Sequence, residues 1–114
     1  MNLLPNLDNA FIPIEKLTEY SLNEFHPIGS DKALVFKELL DIHYYDAEKL
    51  INLIHDGLKN NECVLGFKDS YGQRYSVKMK LWNLEKNAVV TTAWIILKDE
   101  NFPRLTSCYI KNKS

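Results

Sequence analysis

The period of the apolar pattern changes once along this chain, and the change limits the folds open to it. Up to residue 61 the apolar residues recur about every 3.6 positions, as in "DAEKLINLIHDGLKNN", residues 46–61. Beyond it they alternate, most clearly in "RYSVKMKLW", residues 74–82. This order predicts an α+β fold in which about three N-terminal helices pack on one face of a four-stranded antiparallel sheet.

Capping residues and turn formers set the predicted element boundaries. Residues 1–12 are expected to form an extended arm, and a short helix is expected over 14–21 after Pro13. Ser30 and Asp46 are expected to cap the second and third helices, the second ending near Leu40. The four predicted strands are "ECVLGF", "RYSVKMKLW", "AVVTTAWIIL" and "RLTSCYIK", with a turn at "DSYG".

Length and composition restrict the class of protein. A chain of 114 residues is expected to form a single domain, residues 1–114. No apolar run is long enough for a membrane span, and no signal peptide is evident, so a cytoplasmic protein without membrane contact is predicted. Cys63 and Cys108 are expected to be two buried thiols in strands, the alternative being a disulfide in a secreted protein. We expect neither a metal site nor a cofactor, since zinc-ligand spacing and a glycine-rich phosphate loop are both missing from the sequence.

Charge is distributed unevenly between the two halves of the chain. Residues 1–57 carry four Lys/Arg and ten Asp/Glu, a net charge of −6, whereas residues 58–114 carry ten and five, a net charge of +5. The C-terminal half is therefore basic enough to meet a polyanion. An equally weighted alternative is that the two halves attract one another.

The alternation of the strands predicts a basic and aromatic face on the side of the sheet away from the helices. In the second strand Tyr75, Val77, Met79 and Leu81 form the core row. In the third strand the row from Val89 to Leu97 is the more uniformly apolar, and we expect it to be buried. The residues then expected on the open face are Arg74, Lys78, Lys80, Thr92, Trp94, Leu105, Ser107 and Tyr109.

Cations, aromatic rings and hydroxyl groups on one sheet face are what recognition of single-stranded RNA requires. Arg74, Lys78, Lys80 and Trp94 are therefore candidate RNA-binding residues, with Trp94 expected to stack on a base. Structural explanations remain open for each position. Trp94 could pack under a loop or the N-terminal arm, the lysines could be a solvated strand face, and Thr92 and Ser107 could be a cross-strand hydroxyl pair.

The turn "HPIGSDK", residues 26–32, offers groups for chemistry on RNA. A histidine such as His26 exchanges protons near neutral pH, and a nearby lysine such as Lys32 stabilises the negative charge that develops on phosphate. RNA supplies its own nucleophile, the 2′-hydroxyl, so a protein nucleophile is not needed. The alternative for His26 is an ordinary loop residue or a cap of the first helix.

Five ordered stretches resemble a bacterial domain-of-unknown-function family of about 110 residues that is associated with toxins and often encoded beside a small partner protein. The stretches are "LPNLDNAFIPIEKLTEYSLN", "HPIGSDKALVF", "DSYGQRYSVKMKL", "TTAWII" and "FPRLTSCYI". The layout is also remotely similar to the barnase, colicin and RelE-like ribonuclease toxins. These resemblances imply the toxin of a toxin–antitoxin pair that acts as a metal-independent endoribonuclease, with RNA and a small antitoxin protein as partners.

The resemblance also implies roles for individual residues. His26 and Lys32 match a His-Pro-x-Gly-x-x-Lys motif, Thr92 and Trp94 match a Thr-Ala-Trp strand, and the last strand supplies further residues. Ser107 stands where the family more often has threonine. The implied catalytic set is His26, Lys32, Arg104, Ser107, Thr92 and Tyr109.

A competing interpretation is a non-catalytic interaction module whose basic, aromatic sheet face binds an acidic partner protein. This interpretation accounts for the charge asymmetry equally well. A homodimer is a further alternative, since a bare sheet edge invites pairing.

Overall fold

The computed structural model describes residues 2–25 and 30–111. The chain forms α1 (Ser30–Leu40), α2 (Ala47–Leu58), β1 (Cys63–Lys68), β2 (Gly72–Asn83), β3 (Lys86–Leu97) and β4 (Arg104–Ile110). The four strands form one antiparallel sheet in the order β1-β2-β3-β4. The predicted α+β fold is thereby confirmed. The first predicted helix is a π-helical segment at Leu17–Ser21, and the predicted cap by Ser30 lies outside the described side chains.

Helix α2 packs closely on the centre of β2. Leu50, Ile54 and Leu58 recur at helical spacing and are fully buried. At Gly57 a Cβ atom would lie 2.5 Å from the Sδ atom of Met79, so the missing side chain permits the close approach. The helix then ends where Asn61 donates a hydrogen bond from its side chain to the Gly57 carbonyl, at 2.7 Å.

A two-residue turn at Leu84 and Glu85 sets the register of β2 against β3. Asn83 pairs with Lys86, and the ladder continues without a break to Gly72 and Leu97. Odd-numbered residues of β2 therefore oppose even-numbered residues of β3. Since Val77 and Met79 face the helices, their partners Thr92 and Val90 must face them too.

The prediction that Thr92 and Trp94 lie on the open face is therefore wrong. Thr92 is 0 % exposed and Trp94 is 1 % exposed. Their polar groups satisfy one another: Trp94 Nε1 donates to Thr92 Oγ1 at 2.8 Å, and Thr92 Oγ1 donates to the Val77 carbonyl at 2.8 Å. The buried hydroxyl is thus tolerated because it acts as donor and acceptor.

The face of Leu105 was also predicted wrongly. The register of β4 shifts by one residue, so that Ala93 pairs with Ser107 while Trp94 pairs with Leu105. Thr106 is left without a partner on β3, which is the geometry of a β-bulge. Leu105 consequently joins Cys108 and Ile110 in the core.

The N-terminal arm covers parts of both edges of the sheet. Phe11 forms a bridge with Arg104, with hydrogen bonds to Pro103 and Leu105, and Ser21 donates to the Cys108 carbonyl at 2.7 Å. At the opposite edge Cys63 donates to the Asn2 carbonyl at 2.8 Å. Backbone groups of β4 that would otherwise be unpaired are therefore occupied within the chain.

We expect Thr92→Val to destabilise the protein by about 1–3 kcal/mol, because Trp94 Nε1 loses its acceptor and the Val77 carbonyl loses a donor. Urea denaturation measures the free energy of unfolding. Thr91→Val is the matched control: Thr91 is also buried, but on the other face, and its hydroxyl has no hydrogen bond to any described residue, so we expect a smaller loss than for Thr92→Val. Equal losses for both variants would contradict the role of the buried hydrogen bonds.

Candidate nucleic-acid interface

The sheet face opposite α1 and α2, called here the outer face, carries its side chains in rows across the strands. The pairing of β2, β3 and β4 defines the rows directly. Successive rows on one face lie about 6.6 Å apart, because every second residue shares a face. The rows are Arg74–Ile95–Arg104, Ser76–Ala93–Ser107, Lys78–Thr91–Tyr109 and Lys80–Val89.

The second row contains only small side chains and forms the floor of a hollow. The cavity has a volume of about 300 Å³. Ser76 and Ala93 lie at its floor, Phe67 and Arg74 form one wall, and Thr106 lies opposite them. The outer face is therefore indented between a row with two arginines and a row with a lysine and a tyrosine.

Both arginines of the first row are already held by carboxylates. Arg104 forms two hydrogen bonds of 2.6 Å with Glu100 and stacks between Phe11 and Phe102. Arg74 Nε lies 3.1 Å from Asp69 Oδ2. Such pairs fix the guanidinium groups in place and leave their remaining N–H groups for a ligand.

These contacts change the ionisation of the two carboxyl groups. Hydrogen bonds from Arg104 lower the pKa of Glu100, against the effect of burial. Burial opposes the ionisation of Asp69, but hydrogen bonds from Tyr71, Arg74 and Gly72 outweigh it and lower its pKa. Both carboxylates therefore stay charged at neutral pH and keep the arginines oriented.

The lysines of β2 are the exposed cations of the outer face. Lys78 and Lys80 are exposed, as the alternation of β2 predicts. The Nζ atom of Lys80 lies 5.3 Å from the ring centroid of Trp82, whose side chain is 54 % exposed. Neither lysine forms an ion pair with a carboxylate among residues 2–25 and 30–111.

Three of the predicted catalytic residues meet at the β4 edge of the outer face. Lys32, in the first turn of α1, places its Nζ atom 5.3 Å from the ring centroid of Tyr109. Ser107 lies two residues before Tyr109, on the same strand face. A cation, a phenol and an alcohol are thus close together beside the small-residue row.

Two other predicted catalytic residues, Arg104 and Thr92, do not join this group. Arg104 lies five residues before Tyr109, roughly 15 Å away along an extended strand. Thr92 is buried beneath the opposite face, like the predicted base-stacking residue Trp94. His26 lies outside the described residues. Phe67, to which the sequence interpretation gave no role, instead stands at the hollow.

The ion pairs of the described residues show whether the acidic N-terminal half and the basic C-terminal half of the chain contact one another through opposite charges. Lys37 pairs with Glu24 and His43 with Asp41, all in the N-terminal half, whereas the pairs of Arg74 and Arg104 lie within the C-terminal half. No ion pair of the described residues joins one half to the other. Among the described residues, one contact of a C-terminal cation with the N-terminal half is instead a hydrogen bond from Lys86 Nζ to the Glu38 carbonyl at 3.1 Å.

The cysteines and acidic residues offer little further chemistry. Burial raises the pKa of the Cys108 thiol to about 11, so this thiol stays protonated and unreactive at neutral pH. Within the described part of the chain no group of three or more potential ligands could hold a metal ion. None of the described helices is long and apolar enough to cross a bilayer.

Comparison with known proteins identifies the family. A family model described as a domain of unknown function, DUF6883, matches residues 3–112. The chain belongs to the DUF6883 family. A search of curated proteins finds no match. The expected resemblance to a domain-of-unknown-function family is thus confirmed, and DUF6883 covers nearly the whole chain, the outer face included.

We expect Glu100→Gln to lower stability at neutral pH and to have little effect at acid pH. The pKa of Glu100 is depressed in the folded state, so its stabilisation is present above the unfolded pKa and is lost as pH falls through the folded one. Unfolding of parent and variant is compared from neutral pH to pH about 3. A difference that stays constant over this range would contradict the contribution of the Arg104 pair.

Proposed function

We propose that this DUF6883 protein is the toxin of a toxin–antitoxin pair and cleaves single-stranded RNA as a metal-independent endoribonuclease. One observation carries the proposal: a row of small side chains crosses the outer face between two rows that carry cations. A phosphodiester chain lying over the small row has Arg74 and Arg104 on one side and Lys78 on the other. Charge of this kind supplies most of the affinity for nucleic acid.

The proposed chemistry uses the 2′-hydroxyl of the RNA. A base removes its proton, the oxygen attacks the adjacent phosphorus, and the P–O bond to the 5′-oxygen of the next nucleotide breaks. An acid protonates that leaving oxygen, and the products carry a 2′,3′-cyclic phosphate and a 5′-hydroxyl. The reaction needs no protein nucleophile, and it benefits from cations and donors at the phosphorane oxygens.

The roles follow from the group at the β4 edge. Lys32 stabilises the phosphorane charge, and the hydroxyls of Tyr109 and Ser107 donate hydrogen bonds to its oxygens. His26 acts as base or acid, on the strength of the sequence motif that joins it to Lys32. Arg104 holds a neighbouring phosphate through N–H groups that Glu100 does not use. Thr92 and Trp94 have no part in the proposal, because both are buried.

A second candidate function is a non-catalytic module that binds an acidic protein. The observation that favours it is that Glu100 and Asp69 already occupy the two arginines, which leaves fewer free groups for catalysis. Such an acidic protein would place carboxylates against Lys78 and Lys80, which are exposed. The two functions therefore share the outer face and differ in the fate of RNA.

We expect the purified protein to cleave total RNA or tRNA in EDTA and to leave 2′,3′-cyclic phosphate ends. His26→Ala is expected to lower the rate by about 100-fold or more, as does loss of a general acid or base. Lys32→Ala is expected to lower it by about 100-fold, as does loss of one stabilising donor. Mapping of the fragment ends and of their rates of appearance measures both.

The matched control is His55→Ala, which alters a histidine of α2 on the opposite side of the sheet. This variant is expected to cleave like the parent. Cleavage or cell poisoning by His26→Ala at the parent's level would contradict the nuclease assignment. Intact RNA in every sample would favour the acidic-protein module.

We expect Lys78→Ala to weaken RNA binding and its dependence on salt. Each phosphate neutralised by a cation contributes about −0.7 to the slope of log K against log[salt] for a single strand, so the slope should become shallower by about that amount. Binding is measured by fluorescence anisotropy over a salt series. Lys49→Ala, in an exposed position of α2, is the control, and an equal change in both variants would contradict binding at the outer face.

A further inference from the structure

The hollow on the outer face lies between two β-bulges, one in each of the two edge strands of the sheet. In β1 the pairing passes from Leu65–Tyr75 to Lys68–Gln73, so that Gly66 and Phe67 together oppose one residue of β2. In β4 the unpaired Thr106 forms the other bulge. Bulges turn side chains away from the regular alternation and are frequent next to binding sites.

The bulge of β1 is held in place by the side chain of Gln73. Its Nε2 atom donates to the Gly66 carbonyl at 2.9 Å and lies 3.1 Å from the Arg74 carbonyl. These bonds satisfy backbone groups that the irregular pairing leaves without partners. The backbone that carries Phe67 is therefore held in its irregular conformation by hydrogen bonds.

Phe67 presents an aromatic ring to solvent at the wall of the hollow. Its side chain is 66 % exposed, and the guanidinium carbon of Arg74 lies 5.2 Å from the ring centroid. Asp69 in turn holds Arg74 Nε at 3.1 Å. The wall is thus a positioned pair of a ring and a planar cation, both of which stack well on nucleobases.

The other surfaces of the hollow complete a site for a flat, polar ring. The small side chains of Ser76 and Ala93 make the hollow shallow. Two of the residues that line it, Ser76 and Thr106, carry hydroxyl groups that can form hydrogen bonds with a ligand. A volume of about 300 Å³ accommodates a single base. An apolar side chain from a protein would cover the hydroxyls of Ser76 and Thr106 without offering them hydrogen bonds, whereas a base presents polar groups at its edges, so the chemistry favours a base.

We infer that this hollow binds one unstacked nucleobase of single-stranded RNA, with the base stacked on Phe67. The inference rests on the proposed function and specifies how the same face engages its substrate. The cations of the neighbouring rows hold the phosphates on either side of the base. Phe67 thereby takes the stacking role that the sequence interpretation gave to Trp94.

The test is binding of a fluorescently labelled 2′-O-methyl oligouridylate, which lacks the nucleophile and stays intact. Phe67→Ala is expected to weaken binding about tenfold, within the range for loss of one stacked base. Phe67→Trp is expected to retain it. An abasic oligomer of the same length should bind the parent and Phe67→Ala equally, since it offers phosphates without a base.

Tyr71→Ala is the matched control. Tyr71 is as exposed as Phe67 but lies in the turn between β1 and β2, outside the hollow, and its removal should leave binding unchanged. Circular dichroism and thermal unfolding establish that each variant is folded. A loss for Tyr71→Ala equal to that for Phe67→Ala would overturn the inference.

The remaining outcomes separate the inference from the proposed function. Tight binding of the oligouridylate by parent and Phe67→Ala alike overturns the hollow as a base site and leaves RNA binding standing. If the parent binds neither the oligouridylate nor uridine monophosphate, both the base site and the RNA proposal are overturned. Binding of uridine monophosphate, weakened by Phe67→Ala, without oligomer binding would uphold a base site while overturning the RNA proposal.

Discussion

The unbroken pairing of β2 with β3 through the turn at Leu84 and Glu85 decides which side chains of this protein are buried and which can meet a partner. Because side chains alternate along a strand, the register places Thr92 and Trp94 beside Val77 and Met79 under the helices. The same register leaves Lys78, Thr91 and Ala93 on the outer face. A slip of one residue would exchange the two sets and place a tryptophan among the lysines.

Two buried hydrogen bonds explain how the core can contain the polar side chain of Thr92. The Thr92 hydroxyl accepts from the Trp94 indole and donates to the Val77 carbonyl, so the polar groups are satisfied within the core. The wide indole then covers the sheet where Leu105 packs beside it. The motif "TTAW", which resembled part of a catalytic strand, has a sufficient structural explanation in these contacts.

The outer face carries two kinds of cation, which lie in different rows. Arg74 and Arg104 are oriented by carboxylates and aromatic rings, which suits them to a fixed geometry. Lys78 and Lys80 are exposed on flexible stems, which suits them to long-range attraction. In the RNA-binding function that we propose, the lysines attract the phosphates and the arginines align them, with the small row between them. The acidic N-terminal half forms no ion pair with this face among the described residues.

The sequence alone determined the α+β class, the order of the elements and the basic face of β2, because periodicity and capping act locally and the alternation of "RYSVKMKLW" has a single solution. The family resemblance implied a larger catalytic set, of which Lys32, Ser107 and Tyr109 lie at one edge of the sheet. Only the tertiary structure decided the faces of β3 and β4. Both rows of β3 are largely apolar, so composition could not choose between them, and the choice came from pairing with β2. The bulges at Phe67 and Thr106 arise from strand pairing as well, which is why the hollow could not be read from any single segment.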